Sequence, residues 1–332
     1  VAALEKEAGR QLADLAEKPR TIYLGGGTPS MLSPIHLTQL FVTLQRLIDF
    51  SALDEVTLEA NPATFDLRKA RLLRELGVTR VSLGIQSFTP HVLRILGREH
   101  SVAQADEAVA ILREAEIPSV NIDLMFSIPG QTRHDWHQTL DHAIGLDPDH
   151  ISAYNLTYEE DTAFFESLRR GEVREDEDVD AKDFHLADAL LTAAGFDHYE
   201  TSNYAKPGHR SFHNLGYWRG EDYLGLGPSA VSTIRGVRWS NLADTAGYVE
   251  RVERHGHAMV ESESLDREAW RIERIALGLR TREGIPLDLL AAPALQRAHT
   301  LASEGFAQVA DNRLVLISQG RALVDPIAAE LI

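Results

Sequence analysis

The chain has 332 residues, 44% hydrophobic and 25% charged, an ordinary globular composition at about twice the length of one typical domain. Fifty acidic against 33 basic residues leave a net charge of −17, which repels phosphate backbones and argues against nucleic acid as a partner. The cysteine count is 0, which excludes disulfides, thiolate zinc sites, cysteine nucleophiles and any iron–sulfur cluster held on the chain's own thiolates.

The opening stretch, with Leu4, Leu12 and Leu15, reads as a helix. It has neither the basic nor the apolar region of a secretory signal, and no later run approaches the ~18 to 20 apolar residues of a bilayer crossing, so a cytoplasmic location is expected. From Thr21 to Thr157 short apolar, β-branched runs alternate with amphipathic stretches, the pattern of βα units on a parallel sheet. The predicted strands are Thr21–Leu24, Glu55–Ala60, Arg80–Ile85, Ser119–Phe126 and His150–Leu156, read as near-continuous apolar runs. Ala70, Leu73, Leu76 and Ala105, Ala108, Leu112 recur at helical spacing between them, punctuated by Gly77, Pro118 and Asp147-Pro148. A helix ahead of the first strand predicts an upstream βα unit, because a parallel sheet is built strand, helix, strand. Its absence would leave Thr21–Leu24 as an aggregation-prone edge.

The charged run GEVREDEDVDAKDF (171–184) reads as a solvated connector, followed by a helix to Gly195 and by irregular, aromatic and glycine-rich sequence to Asn241. Helices are predicted over Ala246–Arg254 and Arg267–Leu279. The end reads as helix, hairpin turning at Asp311-Asn312, and helix, the order of a winged-helix module. Its lack of basic character favours a packing role over DNA binding.

Two stretches carry candidate chemistry. GGGTPS (Gly25–Ser30) directly follows the first strand, where glycines let the backbone turn sharply and approach a ligand. Polar residues sit near the ends of the other strands: Glu59 and Asn61, Gln86, Asp123, Asn155 and Thr157. They would converge on one mouth if the sheet curls. A later GLGPSA (Gly225–Ala230) fits a dinucleotide fingerprint in letters but precedes a predicted strand, not a helix, and is rejected. The second stretch is FHNLGYWRGEDYLGLG, in which His213 could ligate iron beside the flat walls of Tyr217 and Trp218; the competing reading is an ordinary core histidine. His134, His137 and His142 lack H-E-x-x-H spacing and are placed on an outer helix face.

TIYLGGGTPSML, EANP, GVTRVSLGIQSF, LGREH, NIDLMFSIPGQT and HISAYNLTYEEDT, in this order, resemble the radical S-adenosylmethionine family of oxygen-independent coproporphyrinogen III oxidases. HNLGYW, LGLGPSA and LGLRTREGI resemble its heme-chaperone branch, the HemW branch. The resemblance implies an α/β fold, a partial (β/α)6 barrel here missing its first strand, followed by a smaller α+β C-terminal domain with a winged-helix-like end. It implies a barrel over 1–160, a connector with the H-N-x-x-Y-W region over 161–245 and a C-terminal domain over 246–332. Gly25, Gly26, Gly27, Thr28, Glu59, Gln86, Arg98, Asp123 and Thr157 resemble positions that bind S-adenosylmethionine, and His213, Asn214, Tyr217 and Trp218 match a motif associated with heme. The function implied is heme binding and transfer to an acceptor hemoprotein such as a respiratory enzyme, with peripheral contact to membrane enzymes. The alternative is oxidative decarboxylation of coproporphyrinogen III to protoporphyrinogen IX. The family's C-x3-C-x2-C motif for a [4Fe–4S] cluster is absent, so the chain is either an N-terminally truncated member or a cluster-less relative.

Overall fold

The computed structural model describes residues 1–15, 17–158, 160, 162–173, 176–317 and 319–332. The five predicted strands form as β1 (Thr21–Leu24), β2 (Glu55–Ala60), β3 (Arg80–Gln86), β4 (Ser119–Phe126) and β5 (His150–Asn155), each pairing in parallel with the next. The helices between them start at side-chain caps. Ser33, Asp66, Ser101 and Thr132 each accept a backbone N–H of the first turn, the last two in reciprocal capping boxes with Gln104 and Asp135.

Residues 197–205, expected as part of an irregular connector, instead form β6 (Asp197–Glu200) and β7 (Asn203–Ala205), which extend the same sheet in the order β1-β2-β3-β4-β5-β7-β6. Their brevity and buried aromatic content, Tyr199 and Tyr204, hid them from a periodicity reading. The sheet curls. Ser211 donates its hydroxyl to Glu55 on β2 and its N–H to Tyr199 on β6, so strands distant in sheet order meet at one residue.

The strands are not continuously apolar; they alternate. Val56, Leu58, Val81, Leu83, Val120, Ile122, Leu124 and Ile151 pack outward into one core with Phe41, Leu73, Leu112, Trp136 and Leu140 from the helices. The opposite face carries Glu55, Thr57, Glu59, Arg80, Ser82, Asn121, Asp123, His150 and Ser152, in register as Glu59↔Ser82, Ser82↔Asn121 and Asp123↔Ser152. A half-barrel with a polar inner face follows directly from this period of two.

The charged run is only partly connector. Asp176 caps a helix over Glu177–Ala193 whose first turn holds Glu177, Asp178 and Asp180, where the helix dipole favours negative charge. Arg174 and Glu175 of that run lie outside the described residues.

The opening helix (Ala2–Gln11) packs on the helices Pro34–Leu47 and Thr245–His255. Its buried Glu7 accepts bonds from Gly227 N (2.9 Å), Asn241 Nδ2 (2.8 Å) and Tyr248 Oη (2.6 Å). The GLGPSA turn thus serves this clamp and runs into β8 (Val231–Ile234), as its rejection as a dinucleotide turn anticipated. β8, β9 (Val237–Asn241) and β10 (Met259–Ser264) make an antiparallel sheet. A third sheet joins β11 (Ile285–Pro286), β12 (Ala307–Ala310) and β13 (Arg313–Leu316) in the order β11-β13-β12, with Asp311 and Asn312 at φ +50° and +60° in the hairpin turn. This end has its own core of Ile275, Leu301, Leu314, Ile327 and Leu331. It joins β6 through Thr201 N to Arg280 O (2.8 Å) and Arg282 N to Tyr199 O (3.1 Å).

Candidate functional site

The turn after β1 is built for close approach. A Cβ on Gly25 would stand 2.7 Å from the Tyr23 ring and 2.9 Å from the Glu59 carboxylate, and Gly26 has φ +76° and Gly27 φ +154°. Tyr23 donates to Glu59 Oε1 at 2.7 Å. Thr28 Oγ1 accepts from Asn61 Nδ2 at 3.1 Å, and Arg98 Nη1 lies 3.5 Å from Asn61 Oδ1. Gly84 completes this side, because a Cβ there would stand 2.7 Å from Asn61 Oδ1 and 3.4 Å from Gln86 Nε2. Gln86 itself has φ +72°, and its buried Oε1 has no bonded partner among the described residues. Asp123 accepts from Ser82 Oγ (3.0 Å) and Asn121 Nδ2 (2.7 Å). Gly25, Thr28, Glu59, Gln86, Arg98 and Asp123 therefore share the rim at the carboxyl ends of β1 to β4. Thr157 is exposed beyond β5, and Asn155 is taken up by a bond to Asp180 at 3.0 Å.

Burial sets the charges of the rim. It raises the Asp123 carboxyl, against the opposing pull of Arg80 and of the bonds from Ser152, Ser82 and Asn121. It lowers the Arg98 guanidinium, which Asp123 partly restores. Burial and the neighbouring Glu59 and Asp123 raise the Tyr23 phenol, so this hydroxyl stays a donor at neutral pH.

Below the rim the inner face is a connected polar floor. Asn121 Nδ2 donates to Ser82 Oγ (2.6 Å) and Asp123 Oδ1 (2.7 Å), so its Oδ1 faces His150 Nδ1 at 2.5 Å and the imidazole proton sits on Nδ1. Nε2 then accepts from Tyr199 Oη at 2.8 Å, and that oxygen in turn accepts the Ser211 N–H at 3.1 Å. Burial pushes His150 well below the ordinary histidine range, keeping it neutral. Glu55 accepts from Thr57 Oγ1 (2.8 Å), Ser211 Oγ (3.2 Å) and Phe212 N (2.8 Å), so its carboxylate and the Ser211 side chain together cap the helix Phe212–Trp218.

That helix carries the second motif. The His213 ring stacks on Tyr23 at 4.9 Å and 18°, meets Tyr217 edge-on at 4.9 Å, and places Nδ1 2.8 Å from Thr21 Oγ1. Burial lowers its pKa, against the attraction of Glu55. Asn214 is half-buried, with its N–H on the cap Ser211. Trp218 does not join Tyr217 in one wall, as the sequence suggested. It faces Glu200 on β6 with the Arg280 guanidinium 5.8 Å from its ring, because consecutive residues on a helix point about 100° apart. Burial pushes Glu200 up to about 7, although it accepts bonds from Ser202 N and Asn203 Nδ2. The other histidines stand apart, His142 bonded to Asp106 at 2.7 Å and His137 to Asp141 at 3.0 Å.

Sequence reading missed Tyr23, Glu55, Arg80, Asn121, His150 and Tyr199. The signal was present on β2 to β5, where polar side chains recur at every second residue on one face.

Residues 3–143 match the Radical SAM superfamily. The chain is 37% identical over 313 residues to a protein of Mycobacterium tuberculosis named heme chaperone HemW, covering 94% of this chain and 80% of that relative. The chain belongs to the HemW family. A Bacillus subtilis member is 31% identical over 335 residues, covering 97% of this chain and 88% of its own. The half-barrel and the appended end also match the solved structure of Escherichia coli coproporphyrinogen III oxidase, HemN, with a TM-score of 0.83 over 99% of this chain and 82% of that one. At 23% identity that likeness is one of fold. Among the described residues of this HemW-family chain no helix is long and apolar enough to cross a membrane.

Proposed function

We propose that this chain binds heme against the helix Phe212–Trp218 and passes it to an acceptor hemoprotein, with His213 as the iron contact. Family membership supports the reading, and one observation carries it: Nδ1 of His213 is engaged by Thr21, while Nε2 has no bonded partner among the described residues. When Thr21 Oγ1 accepts the Nδ1 proton, Nε2 presents a free lone pair, the form of imidazole that ligates iron. The lowered pKa of His213 keeps the ring neutral, and Tyr23 and Tyr217 fix its plane. Asn214 and Trp218 act indirectly on this reading, by carrying the helix and docking it on β6.

The family implies S-adenosylmethionine as a cofactor, and the rim fits it. The Gly25 cradle that a Cβ would fill, the orphaned Gln86 Oε1 and the mixed carboxylate and guanidinium donors suit a zwitterion with a ribose. Gly25, Gly26, Gly27 and Thr28 would take the methionine part, and Glu59, Gln86, Arg98 and Asp123 the remainder, with Thr157 contributing through its backbone. Bound there, the cofactor supplies an electron-accepting sulfonium centre. The [4Fe–4S] cluster does not fit these 332 residues, which hold no thiolate. Cytoplasmic residence, a respiratory acceptor and peripheral contact with membrane enzymes belong to the same proposal.

Heme titration followed at the Soret band tests it. Saturable binding at one site per chain, weakened at least tenfold in His213→Ala with the fold intact, is the expected result. Unchanged binding in His213→Ala refutes the site.

A further inference from the structure

Arg80 on β3 is 4% exposed and faces the half-barrel interior, yet no carboxylate is bonded to it among the described residues. Its Nε is buried without a partner among the described residues. Among the described residues its one polar contact is Nη2 to His150 Nδ1 at 3.3 Å, and the floor network has already placed a proton on that nitrogen, so two donors face each other. A largely buried guanidinium is thus held in the interior with no acceptor matched to it among the described residues. Such a group is costly to bury unless an anion completes it.

The surroundings specify the anion. Tyr23, Glu59, Asp123, Tyr154 and His213 around this lumen are only half-buried, whereas the outward faces of the same strands are closed. The lumen is therefore open above Arg80. The charge of Arg80 reaches Asp123 at the rim and His213 on the 212–218 helix alike, placing it between the two motifs. The walls are carboxylates, phenols and an imidazole, which disfavour a bulky dianion. A slim monoanion at the end of a flexible chain suits the space, and a planar guanidinium binds a carboxylate through two parallel N–H bonds.

We propose that Arg80 is a carboxylate subsite that receives one propionate of the tetrapyrrole whose iron meets His213; this rests on the heme reading above. Arg80 fixes the ring's orientation, with its propionate edge directed into the lumen and away from the solvent side of Tyr217.

The test titrates heme and heme dimethyl ester into the full chain, reading the Soret band, for the wild type, Arg80→Gln and Arg80→Lys. The wild type is expected to bind heme about tenfold to a hundredfold more tightly than the ester, the size of a charge-assisted bond. Arg80→Gln brings the two affinities together by weakening heme alone, and Arg80→Lys keeps part of the preference. The wild-type comparison does not depend on any variant folding. Saturable binding with equal affinity for acid and ester, or a preference that survives in Arg80→Gln, overturns the subsite and leaves the heme reading standing. No saturable change with either compound removes both.

Discussion

The Tyr23 ring lies parallel to the His213 imidazole at a centroid distance of 4.9 Å, while its hydroxyl donates to Glu59 at 2.7 Å. One side chain on β1 thereby touches the proposed heme contact with its face and the proposed cofactor rim with its tip. The two motifs, at least 185 positions apart in the chain's numbering from Gly25–Thr28 to His213, are neighbours across a single residue.

Tyr23→Phe separates these roles. The ring remains, so heme affinity should hold within about twofold, whereas Glu59 loses the donor that orients it. Loss of a net bond of about 0.5–1.5 kcal/mol predicts S-adenosylmethionine binding weaker by about two- to tenfold. Calorimetry with the cofactor and Soret titration with heme, on the same preparation, check the split.

Gly25→Ala tests the cradle by sterics alone. The added methyl would meet the Tyr23 ring at 2.7 Å and the Glu59 carboxylate at 2.9 Å, so both must move. S-adenosylmethionine affinity should fall by at least tenfold with an unchanged far-ultraviolet circular dichroism spectrum.

Gly25–Thr28, Glu59, Gln86 and Asp123 were legible because a glycine run after a strand and polar residues at strand ends are local signals, whereas Arg98 came only through the family resemblance and Tyr23 was missed. The floor was not. Val56 and Thr57, or Ile122 and Asp123, are adjacent letters in strands of mixed appearance, and only the curl of the sheet turns one set into core and the other into a polar lumen. Ser211, Glu55 and Tyr199 are 156 and 12 residues apart in their bonds, a pairing no window of sequence contains. The C-terminal hairpin, by contrast, was readable from Asp311-Asn312, whose side chains tolerate the positive φ its turn requires.

Glu200 makes stability depend on pH. Its folded pKa of about 7 lies above its ordinary 4.5, so below the lower value both folded and unfolded forms carry the proton and it contributes nothing. As pH rises from 4.5 to 7 the unfolded chain ionises first, and above that window the folded state bears the full cost of the buried charge, on the order of 3 kcal/mol. Glu200→Gln should flatten the Tm profile between pH 5 and 8, measured by calorimetry at matched ionic strength.

Glu7 ties the opening helix to the turn at Gly227 and to Asn241 and Tyr248. Glu7→Ala leaves three buried donors unmet, and a loss of about 2–5 kcal/mol is expected in urea unfolding monitored by tryptophan fluorescence.

The sharpest test of the central claim, iron on His213 Nε2 with Nδ1 anchored by Thr21, is the iron–histidine stretch in the resonance Raman spectrum of the ferrous heme complex. The account predicts a band in the wild type that vanishes in His213→Ala and moves to lower frequency in Thr21→Val, where the imidazole loses its Nδ1 acceptor. The same band, unmoved, in His213→Ala would contradict it.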